Sequence, residues 1–283
     1  MILIPEKWID YELTDSGEEQ KLERWGQFTT IRPEPRAIWK KSEPKLWGQA
    51  QGIFNEDWQF KTPPPRPWQI AYDKIKFVLK PTEFKHTGVF PEQAVNWLWI
   101  ANKITNCKSQ VPNPKILNLF AYTGGATMAA ALAGAPVTHV DASRPAMMWA
   151  SENAKLSGIA KDKIRWIQDD ALKFINREIK RGQKYEAIIM DPPRFGRGMK
   201  GEVWKLLDNL PELVYACKQV LSDNPMFWLV NAYTADMSSV VLENLLSGVT
   251  GDLGGIVEAG ELGLKETAGG RILPAGLFAR WSK

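Results

Sequence analysis

The stretch from Lys115 to Gly125, K-I-L-N-L-F-A-Y-T-G-G, limits what this chain can fold into more than any other. Ile116, Leu117, Leu119 and Phe120 form the short apolar run that a parallel strand covered on both faces requires. Tyr122-Thr123-Gly124-Gly125 then fits a tight turn, and Ala126 to Ala133 is rich in good helix formers. Strand, glycine turn and helix in that order open a nucleotide-binding α/β unit, because glycine lets backbone approach a ligand and small residues let the helix lie close on the sheet. An αβ turn that binds nothing reads the same way in isolation. The rest of the chain has to separate the two.

At 283 residues there is room for one large domain and a smaller one, and 44% hydrophobic with 24% charged residues supports a sizeable core. No run approaches the ~18 apolar residues of a membrane span. The start, Met1-Ile2-Leu3-Ile4-Pro5-Glu6, lacks the basic segment and long apolar core of a secretory signal, so a cytoplasmic protein without membrane contact is expected. Two cysteines, Cys107 and Cys217, cannot build a disulfide framework, and with two histidines no zinc or other metal site is expected. A net charge of +4 permits a polyanionic substrate without requiring one.

Residues 1–82 differ in texture from 83–283 and are read as a separate, small, β-rich subdomain. Nine of the 19 prolines fall there, which excludes long helices and central strands through Pro63-Pro64-Pro65 and Pro67. Asp10 to Arg24 suggests a short helix or an irregular arm, and Arg36 to Lys41 and Trp58 to Lys61 suggest short strands. Trp68 to Tyr72 and Ile75 to Leu79, joined at Asp73-Lys74, suggest a β-hairpin. Six of the 13 tryptophans precede residue 70. They either form the core of this unit or, with Trp39, Lys40, Lys41 and Trp47 exposed, stack on single-stranded bases.

Phe84 to Gln93 joins the two parts, and Pro91 suits the first position of a helix running to about Lys103, with Val95, Leu98 and Trp99 on one face. His86, just before that start, either satisfies a local hydrogen bond or lines a site. From Lys115 a regular βα rhythm sets in, with further strands at Val137–Asp141, Ile164–Ile167, Tyr185–Met190 and Met226–Val230. A Gly-rich loop (Gly196, Gly198, Gly201) leads to a helix or helix pair over Glu202–Val220, interrupted near Pro211. Gly255–Leu262 and Leu277–Trp281 suggest a closing antiparallel pair. Acidic residues end the second, third and fourth strands, at Asp141, Asp169-Asp170 and Asp191. Open α/β sheets bind ligands at that edge, and Asp141 follows the glycine turn at about the interval of a ribose-binding carboxylate. Each aspartate alone could merely cap the next helix.

Five βα steps and a closing strand pair resemble the class I methyltransferase fold, a Rossmann-like α/β architecture with a seven-stranded mixed sheet. The stretch Leu117 to Gly125 resembles that fold's S-adenosylmethionine loop. It is similar in particular to the N-L-F-x-Y-T-G signature of the bacterial large-subunit ribosomal RNA methyltransferases that make 5-methylcytosine or 7-methylguanine. Val140-Asp141-x-Ser143, Asp170, Asp191-Pro192-Pro193-x-Phe195 and the G-x-F-x-x-Q of Gly88, Phe90 and Gln93 extend the resemblance over about residues 84–281. The first 80 residues instead resemble a Trp-rich extension of an uncharacterised branch of S-adenosylmethionine-dependent methyltransferases.

The resemblance implies S-adenosylmethionine as cofactor and RNA as partner. It places Phe120, Ala121, Tyr122, Thr123 and Gly124 near the methionine moiety, Asp141 with Ala142 and Ser143 at the ribose hydroxyls, and Asp170 with Ala171 at the adenine. His86, Phe90 and Gln93 join the cofactor set, and Asp191, Pro192, Pro193 and Phe195 form the methyl-transfer end. Acceptor-only carboxylates match hydroxyls and an amine. One departure matters: 5-methylcytosine enzymes of this kind need a cysteine nucleophile after the fifth strand. Here the place reads Val230-Asn231-Ala232-Tyr233-Thr234. Direct transfer to a nitrogen or oxygen is therefore expected, with Asp191 and the Pro192-Pro193 carbonyls holding an amine or ring N–H and Phe195 stacking on a base. The basic stretch Lys161–Lys200, with 11 Lys/Arg against 6 Asp/Glu, suits RNA or simply a solvated face. The alternatives are a protein or small-molecule methyltransferase whose N-terminal unit serves as lid or homodimer contact, and a non-catalytic RNA-binding or assembly factor. A nicotinamide enzyme would want G-x-G-x-x-G, which Tyr122 to Ala126 does not supply.

Overall fold

The computed structural model describes residues 1–107, 109–197 and 203–283, so Gly198, Gly201 and Glu202 lie outside the described residues. The chain forms two compact units, Leu3–Val95 with Leu262–Ala275, and Met1–Ile2 with Asn96–Glu261 and Gly276–Lys283. The first unit thus extends past residue 82 and takes in a second segment from near the C-terminus. Between them, β1 (Ile2–Leu3) straddles the boundary.

In the first unit, β2 (Tyr11–Gly17), β3 (Gln20–Trp25) and β4 (Phe28–Pro33) form an antiparallel meander. A short helix α1 (Pro44–Trp47) leads to β5 (Gly52–Asn55), parallel to β4, and β6 (Asp57–Phe60) completes a five-stranded sheet. The expected hairpin is β7 (Gln69–Tyr72) and β8 (Ile75–Val78). Asp10–Arg24 is neither helix nor arm. Its Tyr11 and Leu13 alternate into the core opposite Trp25 and Glu23 of β3, and a bulge after Leu13 brings the buried Asp15 opposite Leu22. Arg36–Lys41 is irregular chain rather than a strand, and its Ala37 and Trp39 carbonyls accept from the turn at Glu19 and Glu18.

The tryptophans of this unit are structural. Trp25 is fully buried against Tyr11 and Trp68 packs on Phe28. Trp47 donates its indole N–H to Asp15 (2.8 Å), and Trp39 donates to the Ser16 carbonyl (3.1 Å). A sequestered indole N–H needs an acceptor, and these two have protein ones. Buried ions hold the same sheet. Glu23, with no exposed surface, takes two hydrogen bonds from Arg32 (2.6 and 2.8 Å) and one from the Tyr11 hydroxyl (2.9 Å). Arg271 fixes the distant segment by donating to Asp15 (3.1 Å) and Glu266 (2.8 Å).

The 3-10 turn at Pro91–Gln93 ends the first segment of the first unit and leads into α2 (Ala94–Asn106), which from Asn96 belongs to the second unit. There follow β9 (Ile116–Leu119), α3 (Gly125–Leu132), β10 (Val137–Asp141), α4 (Arg144–Leu156), β11 (Ile164–Gln168), α5 (Ala171–Lys180) and β12 (Ala187–Met190). A small hairpin, β13 (Phe195–Arg197) with β14 (Val203–Lys205), precedes α6 (Leu206–Lys218), β15 (Phe227–Ala232), α7 (Ser239–Thr250), β16 (Ile256–Lys265) and β17 (Ile272–Ser282). The sheet runs β1-β16-β17-β15-β12-β9-β10-β11. Strands β11, β10, β9, β12 and β15 are parallel, and β17 turns back antiparallel to β15. Without the two-residue edge strand this is the seven-stranded mixed sheet expected of the chain.

Leu117, Leu119, Ile188, Met190, Trp228 and Val230 meet α5, α6 and α7 on one face of this sheet, where Phe174, Leu213 and Cys217 close the core. On α2 the buried stripe is Trp97, Ile100 and Ile104, while Leu98 is exposed and Val95 and Trp99 are partly so. Trp97 claims the interior because Gly125 makes room for it: a Cβ there would lie 2.6 Å from the indole. The helix expected from Glu202 begins instead at Leu206, since Val203–Lys205 pairs with Phe195–Arg197, and it continues through Pro211.

Glu23 sets an acid limit on the first unit. Burial would push its carboxyl up, but Arg32 and then Lys21 outweigh burial and hold it at about 2 against an ordinary 4.5. A depressed carboxylate stabilises the fold above the unfolded value, and that contribution is lost as pH falls from 4.5 towards 2. Glu23→Gln should cost about 3–5 kcal/mol at neutral pH by leaving Arg32 buried and unpaired, and should flatten the acid limb of a thermal-denaturation series.

Candidate functional site

The first turn of the parallel sheet is strained where it meets the ligand edge. Phe120 and Tyr122 hold positive φ angles of 54° and 48°, and Gly124 stands at φ 89°, ψ 17° as the residue before α3. Left-handed backbone favours glycine, and a Cβ on Gly124 would also meet that of Ala150 at 3.3 Å. Side-chain and backbone ties hold the turn. Ala121 N–H donates to the Val140 carbonyl (3.1 Å), and the buried Asn153 amide donates to the Thr123 carbonyl (3.0 Å). Beneath it, Asn118 donates to the Thr127 hydroxyl (2.9 Å), which lies 2.9 Å from His139 Nδ1. Burial pushes His139 down to about 3, so its imidazole is neutral.

Asp141 ends β10 and joins two turns. One carboxylate oxygen accepts from Tyr122 N–H (2.8 Å) and the other from Ser143 N–H (2.8 Å). Burial pushes its carboxyl up from the ordinary value, against the pull of those N–H groups. Each oxygen keeps a lone pair for a further donor. Ser143 also caps α4 by accepting from Ala146 N–H (3.3 Å). Ala142 lies between the two. Asp170, after β11, caps α5 by accepting from Lys173 N–H (2.9 Å) on one oxygen, and Ala171 behind it is buried. The cap engages one oxygen of Asp170.

Asp191 follows β12 half-buried, its N–H donating to the Leu119 carbonyl (3.4 Å), so the ends of β12 and β9 are joined. Pro192 is buried. The Pro193 carbonyl accepts from Trp204 Nε1 (2.7 Å), which engages one of its two lone pairs. The Trp204 ring lies 5.0 Å from Phe120, so the β13–β14 hairpin touches the turns after both β9 and β12. Phe195 is 55% exposed, and Arg194 ion-pairs with Asp236 beyond β15 (2.7 Å). Cys217 is buried in α6 and its thiol is pushed far up by burial; Cys107 is half-buried after α2.

The structure therefore gathers Phe120 to Gly124, Asp141 to Ser143, Asp170, Ala171 and Asp191 to Phe195 on the C-terminal edge of one parallel sheet. His86, Phe90 and Gln93 belong to the other compact unit. There His86 and Phe90 lie ring to ring at 5.4 Å, and burial, then Arg32 and Lys85, push His86 down to about 4. Sequence reading missed Asn118, Thr127, His139, Asn153 and Trp204. Asn118 had a signal, since a polar residue inside an apolar strand needs a buried partner. Trp204 had none, because its role depends on a hairpin.

Comparison with known proteins agrees with this geometry. A model of the S-adenosylmethionine-dependent methyltransferase family matches residues 55–226. A SAM-dependent methyltransferase of known structure from Agrobacterium tumefaciens is 40% identical, with a TM-score of 0.94, covering 100% of this chain and 93% of that one. Ribosomal RNA large subunit methyltransferase K/L from Shewanella frigidimarina is 36% identical over 53% of this chain, and ribosomal RNA large subunit methyltransferase I from Klebsiella pneumoniae is 33% identical over 38%. The chain spans 20% and 24% of the length of those two relatives.

Asp141→Asn keeps the shape of the side chain but replaces one acceptor with a donor aimed at a backbone N–H. Thermal unfolding should show a loss of about 1–3 kcal/mol, the cost of one unsatisfied buried group. An unchanged melting temperature would remove Asp141 as the tie between the two turns.

Proposed function

The chain belongs to the S-adenosylmethionine-dependent methyltransferase family, and from that premise we propose that it methylates a nitrogen of a base in ribosomal RNA by direct transfer, without a cysteine nucleophile. The observation that carries this reading is the set of acceptors Asp141, Asp170 and Asp191 beside a left-handed glycine turn on one sheet edge. The residues suit the cofactor: Gly124 leaves a cradle that a Cβ would fill, and both Asp141 oxygens retain acceptor capacity beside the two N–H groups that fix them.

In this reading Phe120, Ala121, Tyr122, Thr123 and Gly124 line the methionine end. Asp141 with Ala142 and Ser143 takes the ribose hydroxyls, and Asp170 with Ala171 takes the adenine amino group. His86, Phe90 and Gln93 are assigned to the cofactor on their motif alone. When bound, S-adenosylmethionine supplies an electrophilic methyl group on a sulfonium. The chain's own contribution is positioning. Asp191 accepts from the amine or ring N–H of the base and so orients its lone pair, and the Pro192 carbonyl adds a second acceptor. Pro193 holds the hairpin through Trp204, and exposed Phe195 offers a face for stacking.

Direct transfer is supported by the cysteines. Neither lies after β15, and the Cys217 thiol is buried and held protonated. Ribosomal RNA as substrate is supported by the names of the relatives and by the basic stretch from Lys161 to Lys200. The N-terminal unit, with its tryptophans committed inward, is assigned no base-stacking role here.

Labelled methyl transfer to RNA from a strain lacking the gene, followed by nucleoside mass spectrometry, tests the reading. A single N-methylated nucleoside is expected, whereas 5-methylcytosine would refute the cysteine-free mechanism. No label would turn the search to proteins and small molecules. Asp141→Ala should weaken S-adenosylhomocysteine binding by about tenfold or more, measured by calorimetry. Asp191→Ala should leave that affinity within about threefold and lower turnover by roughly a hundredfold or more; retained turnover would remove Asp191 from the transfer site.

A further inference from the structure

Arg194 and Phe195 directly follow the Asp191-Pro192-Pro193 turn, and both side chains are exposed. The backbone that carries them is nevertheless pinned on three sides. The Pro193 carbonyl takes Trp204 Nε1–H (2.7 Å), the Arg194 carbonyl takes Leu206 N–H (3.0 Å), and Phe195 pairs with Lys205 across β13 and β14. Side chains of a strand pair alternate between its two faces. Trp204 occupies the face that meets Phe120, so Phe195 and the exposed Lys205 share the other.

The Arg194 guanidinium gives Nη2 to Asp236 (2.7 Å) while its side chain stays 67% exposed. Asp236 is held in turn by Thr234, whose hydroxyl donates to the carboxylate (3.2 Å) and accepts from Asp236 N–H (3.1 Å). Met190 and Val230 are in register on adjacent parallel strands, so the pair joins the loops that leave β12 and β15 at the same edge of the sheet. An ion pair this exposed contributes little to stability. A guanidinium has five N–H donors, so this contact aims the group and leaves donors for a further oxyanion.

We propose that Arg194, aimed by Asp236, binds a backbone phosphate of single-stranded RNA while Phe195 stacks on the adjoining base. Lys205, 3.8 Å from Asp208, is a second cation beside that ring. Cations flanking an aromatic face match an unpaired nucleotide, whose base is open to stacking as a base within a duplex is not. The hairpin is the platform, fixed to the transfer edge through Trp204. The inference rests on the RNA reading above and narrows it: the methylated base lies in an unpaired stretch.

Binding of a short single-stranded RNA of mixed sequence, measured over a range of salt concentrations, separates a phosphate ligand from a strut. Arg194→Gln and Asp236→Asn break the same ion pair, so a strut predicts that both move RNA affinity in the same direction. A phosphate ligand predicts opposite signs. Arg194→Gln should weaken binding about fivefold or more and lower the salt slope by about 0.7, the share of one phosphate contact. Asp236→Asn removes an anion beside that phosphate, so binding should hold or tighten with the slope kept. Phe195→Ala should weaken binding about fivefold or more and leave the slope unchanged. The charge-matched Asp252→Asn, paired with Lys218 at the far end of α6 about 20 Å away, should change neither. S-adenosylhomocysteine affinity should stay within about twofold in every variant. If RNA accepts label and yet Arg194→Gln and Asp236→Asn shift together, or the Arg194→Gln slope matches wild type, this inference alone falls. If the wild type neither labels nor binds RNA, the substrate reading falls and takes the platform with it.

Discussion

Two hydrogen bonds to one carboxylate organise the working edge of the sheet. Asp141 takes Tyr122 N–H on one oxygen and Ser143 N–H on the other, so the turns after β9 and β10 share a single anchor. The first of these turns is strained, with Phe120 and Tyr122 at positive φ. Such backbone costs on the order of 1–3 kcal/mol per residue and persists only where surroundings over-determine it. Here Asp141, the Ala121–Val140 backbone bond and the Asn153 amide supply that redundancy. A turn held in this way is ordered in advance and has little conformational freedom left to lose.

Polar residues set into apolar strands carry the second layer of this design. Asn118 in β9 holds Thr127 and, through it, His139 beneath the glycine turn. Asn231 in β15 and Arg280 in β17 meet through Asn96 on α2. In each case a strand that could be wholly apolar accepts the cost of a buried amide or cation. Low local dielectric makes such networks strong when satisfied and costly when cut. They fix where a turn or an amide sits, which an apolar core of the same volume cannot do.

The first unit reaches its stability by another route. Its strands are short and its prolines many, so length of regular structure contributes little. Tryptophans with their N–H groups satisfied, together with the Glu23–Arg32 and Arg271–Glu266 pairs, close its interior. Trp39 and Trp47 stand where an exposed aromatic platform was one reading of the sequence. Asp15 and Ser16 turned them inward by supplying acceptors.

The sequence by itself determined the parallel sheet, the glycine turn and the acids at successive strand ends. Those features are local: an apolar run, a residue free to adopt positive φ, and a carboxylate at a fixed offset from each. It also determined the β7–β8 hairpin through alternation about Asp73-Lys74. Only the tertiary structure decided that Gly125 exists to admit the Trp97 indole, that Trp204 takes the Pro193 carbonyl, and that residues 262–275 belong with residues 3–95. It also decided the fate of Asp10–Arg24, whose polar surface hid a Tyr11–Leu13 alternation facing inward. Each of these rests on partners between about ten and 260 positions apart, and the energy of a contact depends on what lies opposite, which no local pattern of residues specifies.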